Sequence, residues 1–155
     1  MTKTAITQRL AWLATALSLA MVVAGFAISL LAIGDGDGEW LPTHLLFNPV
    51  VVAAFSFIGA LVTSSQPRNP IGWILSTVGL LTGLTFFAYS YLLVSESLGP
   101  GNSLPGADIA RWLDLWIWIP ATLLPVTILL LLFPNGRLLS SRWRPVAWAA
   151  GLGIA

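Results

Sequence analysis

An all-α polytopic bundle in a membrane is the fold class this sequence predicts, and three observations predict it. Hydrophobic residues make up 57% of the 155 and charged residues only 8%, whereas about 25% of a soluble domain is charged. The few charges gather in short gaps between long apolar runs. Four of these runs are long enough to cross a hydrocarbon core of about 30 Å as helices rising about 1.5 Å per residue, and a fifth begins near the end of the sequence. A chain this short cannot wrap so much apolar surface in its own polar surface, so lipid has to cover it. The net charge of +1 gives no reason to expect nucleic acid as a partner. The absence of cysteine removes disulfides, thiolate metal sites and cysteine nucleophiles.

Residues 1–9 form a short basic tail carrying Lys3 and Arg9. The first span, Leu10 to Ile33, is uncharged and far exceeds the apolar core of about 7–15 residues in a cleaved signal peptide, which predicts a retained anchor. The second runs from near Pro49 to Ser65, and the third, Ile71 to Ser95, is again uncharged. The fourth extends from about Trp112 to Phe133 with Asp114 in its first turn. Residues 10–133 are thus a four-span bundle with short loops. Residues 134–144 make a basic turn, and Pro145 to Ala155 read as the front of an incomplete fifth span, too short to cross alone. The expectation is a longer protein whose fifth helix continues.

Three starts are written alike, Asn48-Pro49, Asn69-Pro70 and Arg144-Pro145. An Asn side chain can accept from a free backbone N–H, and Pro suits the first helical position, where its missing N–H costs nothing. Pro120 and Pro125 instead fall within the fourth run and predict a kinked helix with a hinge there.

Orientation follows from the cations in short loops. With the N-terminus in the cytoplasm of a plasma-membrane protein, the inner segments hold Lys3, Arg9, Arg68, Arg137, Arg142 and Arg144, against Arg111 outside. Asp35, Asp37, Glu39, Glu96 and Asp108 all fall in outer loops. Trp12, Trp40, Trp73, Trp112, Trp116, Trp143 and Trp148 lie near span ends, where an amphipathic ring prefers the headgroup layer.

The motifs lead away from catalysis. Asp35–Glu39 (DGDGE) starts like a calcium loop, but the sixth and twelfth positions are Trp40 and Leu46 rather than Gly and Glu, so it reads as a flexible outer turn. His44, the only histidine, reads as an interfacial residue. Gly79 and Gly83 form a GxxxG, which lets two backbones approach closely. Gly72 and Ser76 extend this small face, and Gly25 with Ser29 gives the first span a similar one. Packing within the bundle is the favoured use and the seam of a homodimer the other, and both stay open here. No ionisable residue sits at mid-depth in a span, which argues against ion-coupled transport. Thr82, Thr85, Tyr89, Ser90 and Tyr91 could line a small site in the outer half of span three or bond their own backbone. No catalytic, cofactor-binding or metal-ligating set is readable.

The segments QPRNPIGW (Gln66 to Trp73) and LLFPNGRLLSSRWRPVAW (Leu131 to Trp148), with LPGADIARWL (Leu104 to Leu113) between them, resemble the membrane-embedded N-terminal region of bacterial two-component sensor histidine kinases, especially the actinobacterial type. The resemblance spans about residues 60–150. It marks Arg68, Asn69, Pro70, Asn135, Gly136, Arg137, Arg142 and Arg144 as the cytoplasmic turns. Three positions depart from the family pattern: Asn135 stands where Asp is usual, Leu139 where Pro is usual and Ser141 where Arg is usual. An Asn-Gly pair still makes a strong turn. The resemblance implies a region that anchors and senses, works as a dimer in the bilayer, and passes a change in helix packing to cytoplasmic kinase domains. ATP and a cognate response regulator would enter only through those domains, and no kinase residue carries over to this stretch. A small non-catalytic membrane protein, a scaffold or transporter accessory subunit, is the alternative expectation.

Overall fold

A backbone crossing lipid must satisfy its own hydrogen bonds, and a helix does so within one segment. In the computed structural model, which describes residues 3–32, 41–99, 101–129 and 132, every regular element is a helix. α1 covers Lys3–Ala32, α2 Leu41–Ser65, α3 Pro70–Ser97, α4 Ala107–Trp116 and α5 Trp118–Leu124, followed by a π-helical turn, Pro125–Leu129. Four stretches of these helices are long and apolar enough to cross a membrane: Ala5–Leu30, Leu46–Ser65, Pro70–Ser97 and the combined segment Ala107–Thr127.

The packing is inside out relative to a soluble protein. Thr15, Ser18, Ser29, Ser56, Thr63, Ser76 and Ser90 are buried, while Leu13, Val23, Val50, Leu61 and Leu115 are each more than half exposed. In water this distribution would forfeit most of the hydrophobic gain. In lipid, where apolar side chains gain nothing by leaving the solvent, helices associate through close contact of small residues and interhelical hydrogen bonds. The chain is a multi-pass helical membrane protein on these grounds.

α3 is the central element and touches α1, α2, α4, α5 and the π-helical turn. The α2–α3 connection is tight. Gln66 N donates to Val62 O and Asn69 N to Gln66 O, and the Asn69 side chain caps α3 by accepting from Ile71 N at 3.1 Å, with Pro70 in the first turn. At the other end, Gly99, Gly101 and Gly106 have positive φ. Gly106 serves as N-cap of α4 at φ 84°, a conformation that costs glycine least. Tyr91 OH donates to Pro105 O at 2.6 Å and Leu104 N donates to Ser95 Oγ at 3.0 Å, fastening this loop to α3.

Three boundaries differ from the sequence reading. α1 begins at Lys3 rather than Leu10, because Thr4 to Arg9 contains no helix breaker. α2 begins at Leu41, so Asn48-Pro49 is not its start and Pro49 lies inside it. Pro42 is the second residue of the helix, in the first turn, where its missing N–H costs nothing. Pro49 denies one carbonyl its bond, an interruption membrane helices tolerate. The fourth run starts at Ala107 and is two helices and a π-helical turn, where one kinked helix is expected. The break falls at Ile117, three residues before Pro120, and the π-helical turn opens at Pro125. The outer loop Asp35–Glu39, the 134–144 turn and the fifth run, 145–155, lie outside the described residues. His44 falls in the first turns of α2.

Candidate functional site: a polar seam within the bundle

Small residues recur along all three long helices at steps of three, four and, once on α1, seven. On α1 they are Ala11, Thr15, Ser18, Gly25 and Ser29; on α2, Ser56, Gly59 and Thr63; on α3, Gly72, Ser76, Gly79 and Gly83. Such a step keeps a stripe on one helix face. Each stripe is buried, and the three meet along the bundle axis.

Contact between α2 and α3 is at backbone distance. A Cβ placed on Gly59 would fall 2.6 Å from Ser76 N, and one on Gly72 would fall 2.8 Å from Thr63 N. Gly79 faces Ser56, whose hydroxyl occupies the space a Cβ on Gly79 would need. The helices run antiparallel, so each step from Thr63 back to Gly59 and Ser56 is matched by a step from Gly72 forward to Ser76 and Gly79. Gly83 meets the backbone of Ser18 on α1 instead, at 3.2 Å. The structure thus uses the Gly72, Gly79 and Gly83 face within one chain, with α2 and α1 as its neighbours.

Hydroxyls cross-link the seam. Thr15 Oγ1 donates within reach of both Ala11 O and Ser56 O, each at 3.1 Å. Ser29 Oγ donates to Ser90 Oγ at 2.9 Å, and Ser90 Oγ donates to Phe86 O at 2.9 Å. By contrast Ser56 Oγ, Thr63 Oγ1, Ser64 Oγ and Ser76 Oγ are buried without a hydrogen-bond partner. Unpaired buried hydroxyls are costly, and three of these four lie in the α2–α3 contact, where the backbones are closest.

The polar residues expected in the outer half of span three separate into distinct roles. Thr85 Oγ1 bonds its own helix at Leu81 O, 3.0 Å away. Thr82 and Thr85 line a groove of about 360 Å³ between α2, α3 and α5, with Phe55, Val78, Trp118 and Thr122. Tyr89 lines a smaller cleft of about 290 Å³ with Glu96, Arg111 and Asp114. In that cleft Arg111 and Glu96 pair at 3.2 Å, both more than half exposed, so water screens the pair.

Charge is divided between the two ends. The start of α1, the end of α2 and the start of α3 share one end, where Arg9 and Arg68 are exposed and no described residue is acidic. Glu96, Asp108 and Asp114 occupy the opposite end with Arg111. Asn135, Gly136, Arg137, Arg142 and Arg144 lie outside the described residues. Pro120 is buried at the α4–α5 break, and Pro125 opens the π-helical turn. Among the described residues no three His, Cys, Asp or Glu side chains converge as metal ligands.

The sequence marks Gly72, Ser76 and Gly79 on α3 as a small face but gives no such mark to their α2 partners Ser56, Gly59 and Thr63. The signal that could have found them is the shared three-and-four spacing of small residues on consecutive spans, read as antiparallel partners. No family model matches the chain, and no curated protein or solved structure is significantly similar to it. Fold and seam define a class, the multi-pass helical membrane protein with a small-residue core.

Proposed function

We propose that this chain is the membrane-anchoring and signal-sensing region of a sensor histidine kinase, with its N-terminus in the cytoplasm of a plasma-membrane protein. The observation that carries the reading is the motif pair QPRNPIGW and LLFPNGRLLSSRWRPVAW in that order, with the first forming a capped turn between two spans. The separation of Arg9 and Arg68 from Glu96, Asp108 and Asp114 supports the orientation through the positive-inside rule. The connection from α3 to α4 is short, so a stimulus is read within or beside the bilayer and transmitted as a change of helix packing. The movable element is the α4–α5 break together with the arginine turn that follows. A homodimer is the working assembly, and ATP and the response regulator engage only domains beyond Ala155.

Reading the coding frame past codon 155 tests this directly. Continuation into a phosphoacceptor histidine helix and an ATP-binding domain is the expected result, followed by autophosphorylation of the full protein with ATP. A stop codon beside a permease gene supports the second reading, a scaffold or accessory subunit, which the apolar α2–α3–α5 groove favours. Orientation is tested by a reporter fused after Trp143. It should report a cytoplasmic location, and replacing Arg137, Arg142 and Arg144 together should weaken that retention.

A further inference from the structure

The Arg9 end of the bundle holds an open cleft of about 640 Å³ between α1 and the end of α2, lined by Ala5, Gln8, Arg9, Trp12, Leu13 and Ser64. Its polar groups are mostly hydrogen-bond donors. Arg9 is an exposed guanidinium with five N–H donors and no acceptor. Gln8 Nε2 gives one hydrogen to Ser64 O at 3.0 Å and has a second. Ser64 Oγ is buried and has no partner. Trp12 contributes an indole, held edge-on to Phe57 with ring centres 6.2 Å apart.

Within the cleft the lining carries one positive charge and no negative one, and no described residue at this end of the bundle is acidic. An anion is the complementary ligand. Polarity is also ordered along α1. Gln8 and Arg9 lie about one helical turn, roughly 5 Å, nearer the end of the bundle than Trp12 and Leu13, and Leu13 is 64% exposed to the surrounding solvent, here lipid. A free anion would gain nothing from an apolar lower wall. A lipid has its phosphate above and its chains below, at the same spacing.

We propose that this cleft is a site for an anionic phospholipid of the adjoining leaflet. Its phosphodiester is held by Arg9, Gln8 and Ser64, an anionic lipid leaving that negative charge to Arg9 where the choline cation of a zwitterionic lipid would compete for it, and one acyl chain runs past Trp12 and Leu13. The site depends on the chain spanning a bilayer and not on any kinase following it. Basic clefts between spans are recurrent headgroup sites, and a bound lipid here would join α1 to α2 where Gln8 already bridges them.

Native mass spectrometry of the full chain tests this, with detergent micelles holding equal amounts of phosphatidylglycerol and phosphatidylcholine of identical chains. A preference for phosphatidylglycerol of about fivefold or more is expected from one well-placed cation. Arg9→Gln should abolish the preference and Arg9→Lys should keep most of it. Ser64→Ala should reduce it, and Arg111→Gln at the far end should leave it intact. Equal retention of the two lipids by the unmodified chain, an unchanged preference in Arg9→Gln, or equal loss in Arg111→Gln overturns the site. Displacement of the bound lipid by inorganic phosphate would reassign the cleft to a soluble anion and overturn the lipid reading.

Discussion

The hydroxyl of Ser56 rests against Gly79, in the space where any other residue at position 79 would place its Cβ. Ser56 N would stand only 3.0 Å from that Cβ, so the obstruction includes backbone and cannot be relieved by a rotamer change. Gly79→Val therefore has to separate α2 from α3. Overpacking costs about 1–3 kcal/mol in a well-packed core, and the upper part of that range or beyond is expected here. Gly83→Ala meets the Ser18 carbonyl at 3.2 Å, a milder conflict, and should cost less. Detergent-titrated loss of helical circular dichroism measures both. Equal tolerance of the two substitutions would show that the α2–α3 seam is not packed as tightly as described.

A second prediction concerns the serine pair joining α1 to α3. Ser29 Oγ donates to Ser90 Oγ at 2.9 Å, and both residues are almost fully buried. Hydrogen bonds between membrane helices couple by about 0.6 kcal/mol on average and about 1.7 at most. A double-mutant cycle of Ser29→Ala and Ser90→Ala should return a favourable coupling in this range. A coupling indistinguishable from zero would mean that each hydroxyl is satisfied by its own helix, as Ser90 already can be through Phe86 O.

These contacts show where sequence reading stops. The spans are legible because an uncharged run of sufficient length has few alternatives in any solvent. Gly79 and Gly83 are legible as a small face, since two glycines four apart stand out in an apolar helix. Ser56 and Thr63 do not stand out, because a hydroxyl in a membrane helix can bond its own backbone and needs no neighbour. Only the antiparallel register places Ser56 on Gly79 and Thr63 on Gly72. The start of α2 misleads for a related reason. Asn48-Pro49 carries the same local start signal as Asn69-Pro70, but Pro42 supplies an earlier one and the apolar residues between them favour helix. Asp35–Glu39 and the 134–144 turn lie outside the described residues.

Asn69 should matter more than its surface position suggests. Its side chain accepts from Ile71 N at 3.1 Å and donates to Gln66 Oε1 at 2.9 Å, so it caps α3 and stiffens the turn that sets the α2–α3 register. Loss of an N-cap costs about 1 kcal/mol. Asn69→Ala is expected to lower the detergent-denaturation midpoint accordingly, while Asn69→Asp, which still accepts from Ile71 N, should lie close to the unmodified chain. If Asn69→Asp is as damaging as Asn69→Ala, the Gln66 contact rather than the cap holds the turn.

The last prediction addresses the break at Ile117. Pro120 has no N–H, so the carbonyl four residues earlier, that of Trp116, receives no bond from it, and α4 ends at Trp116. The next bond, Ala121 N to Ile117 O, is long at 3.3 Å, whereas Ile117 N to Leu113 O is an ordinary 3.0 Å. Pro120→Ala restores the missing donor and should merge α4 with α5. In the interior of a helix this exchange is worth about 3 kcal/mol in propensity, offset in part by the small void left where buried Pro120 packed. Amide hydrogen exchange across 117–121 should slow by about tenfold or more, the change that about 1.4 kcal/mol of added local stability produces. Unchanged exchange would place the cause of the break in packing against α3 rather than in the proline. Under the proposed sensor reading, in which this break relays a packing change, straightening it should lock the kinase output in one state.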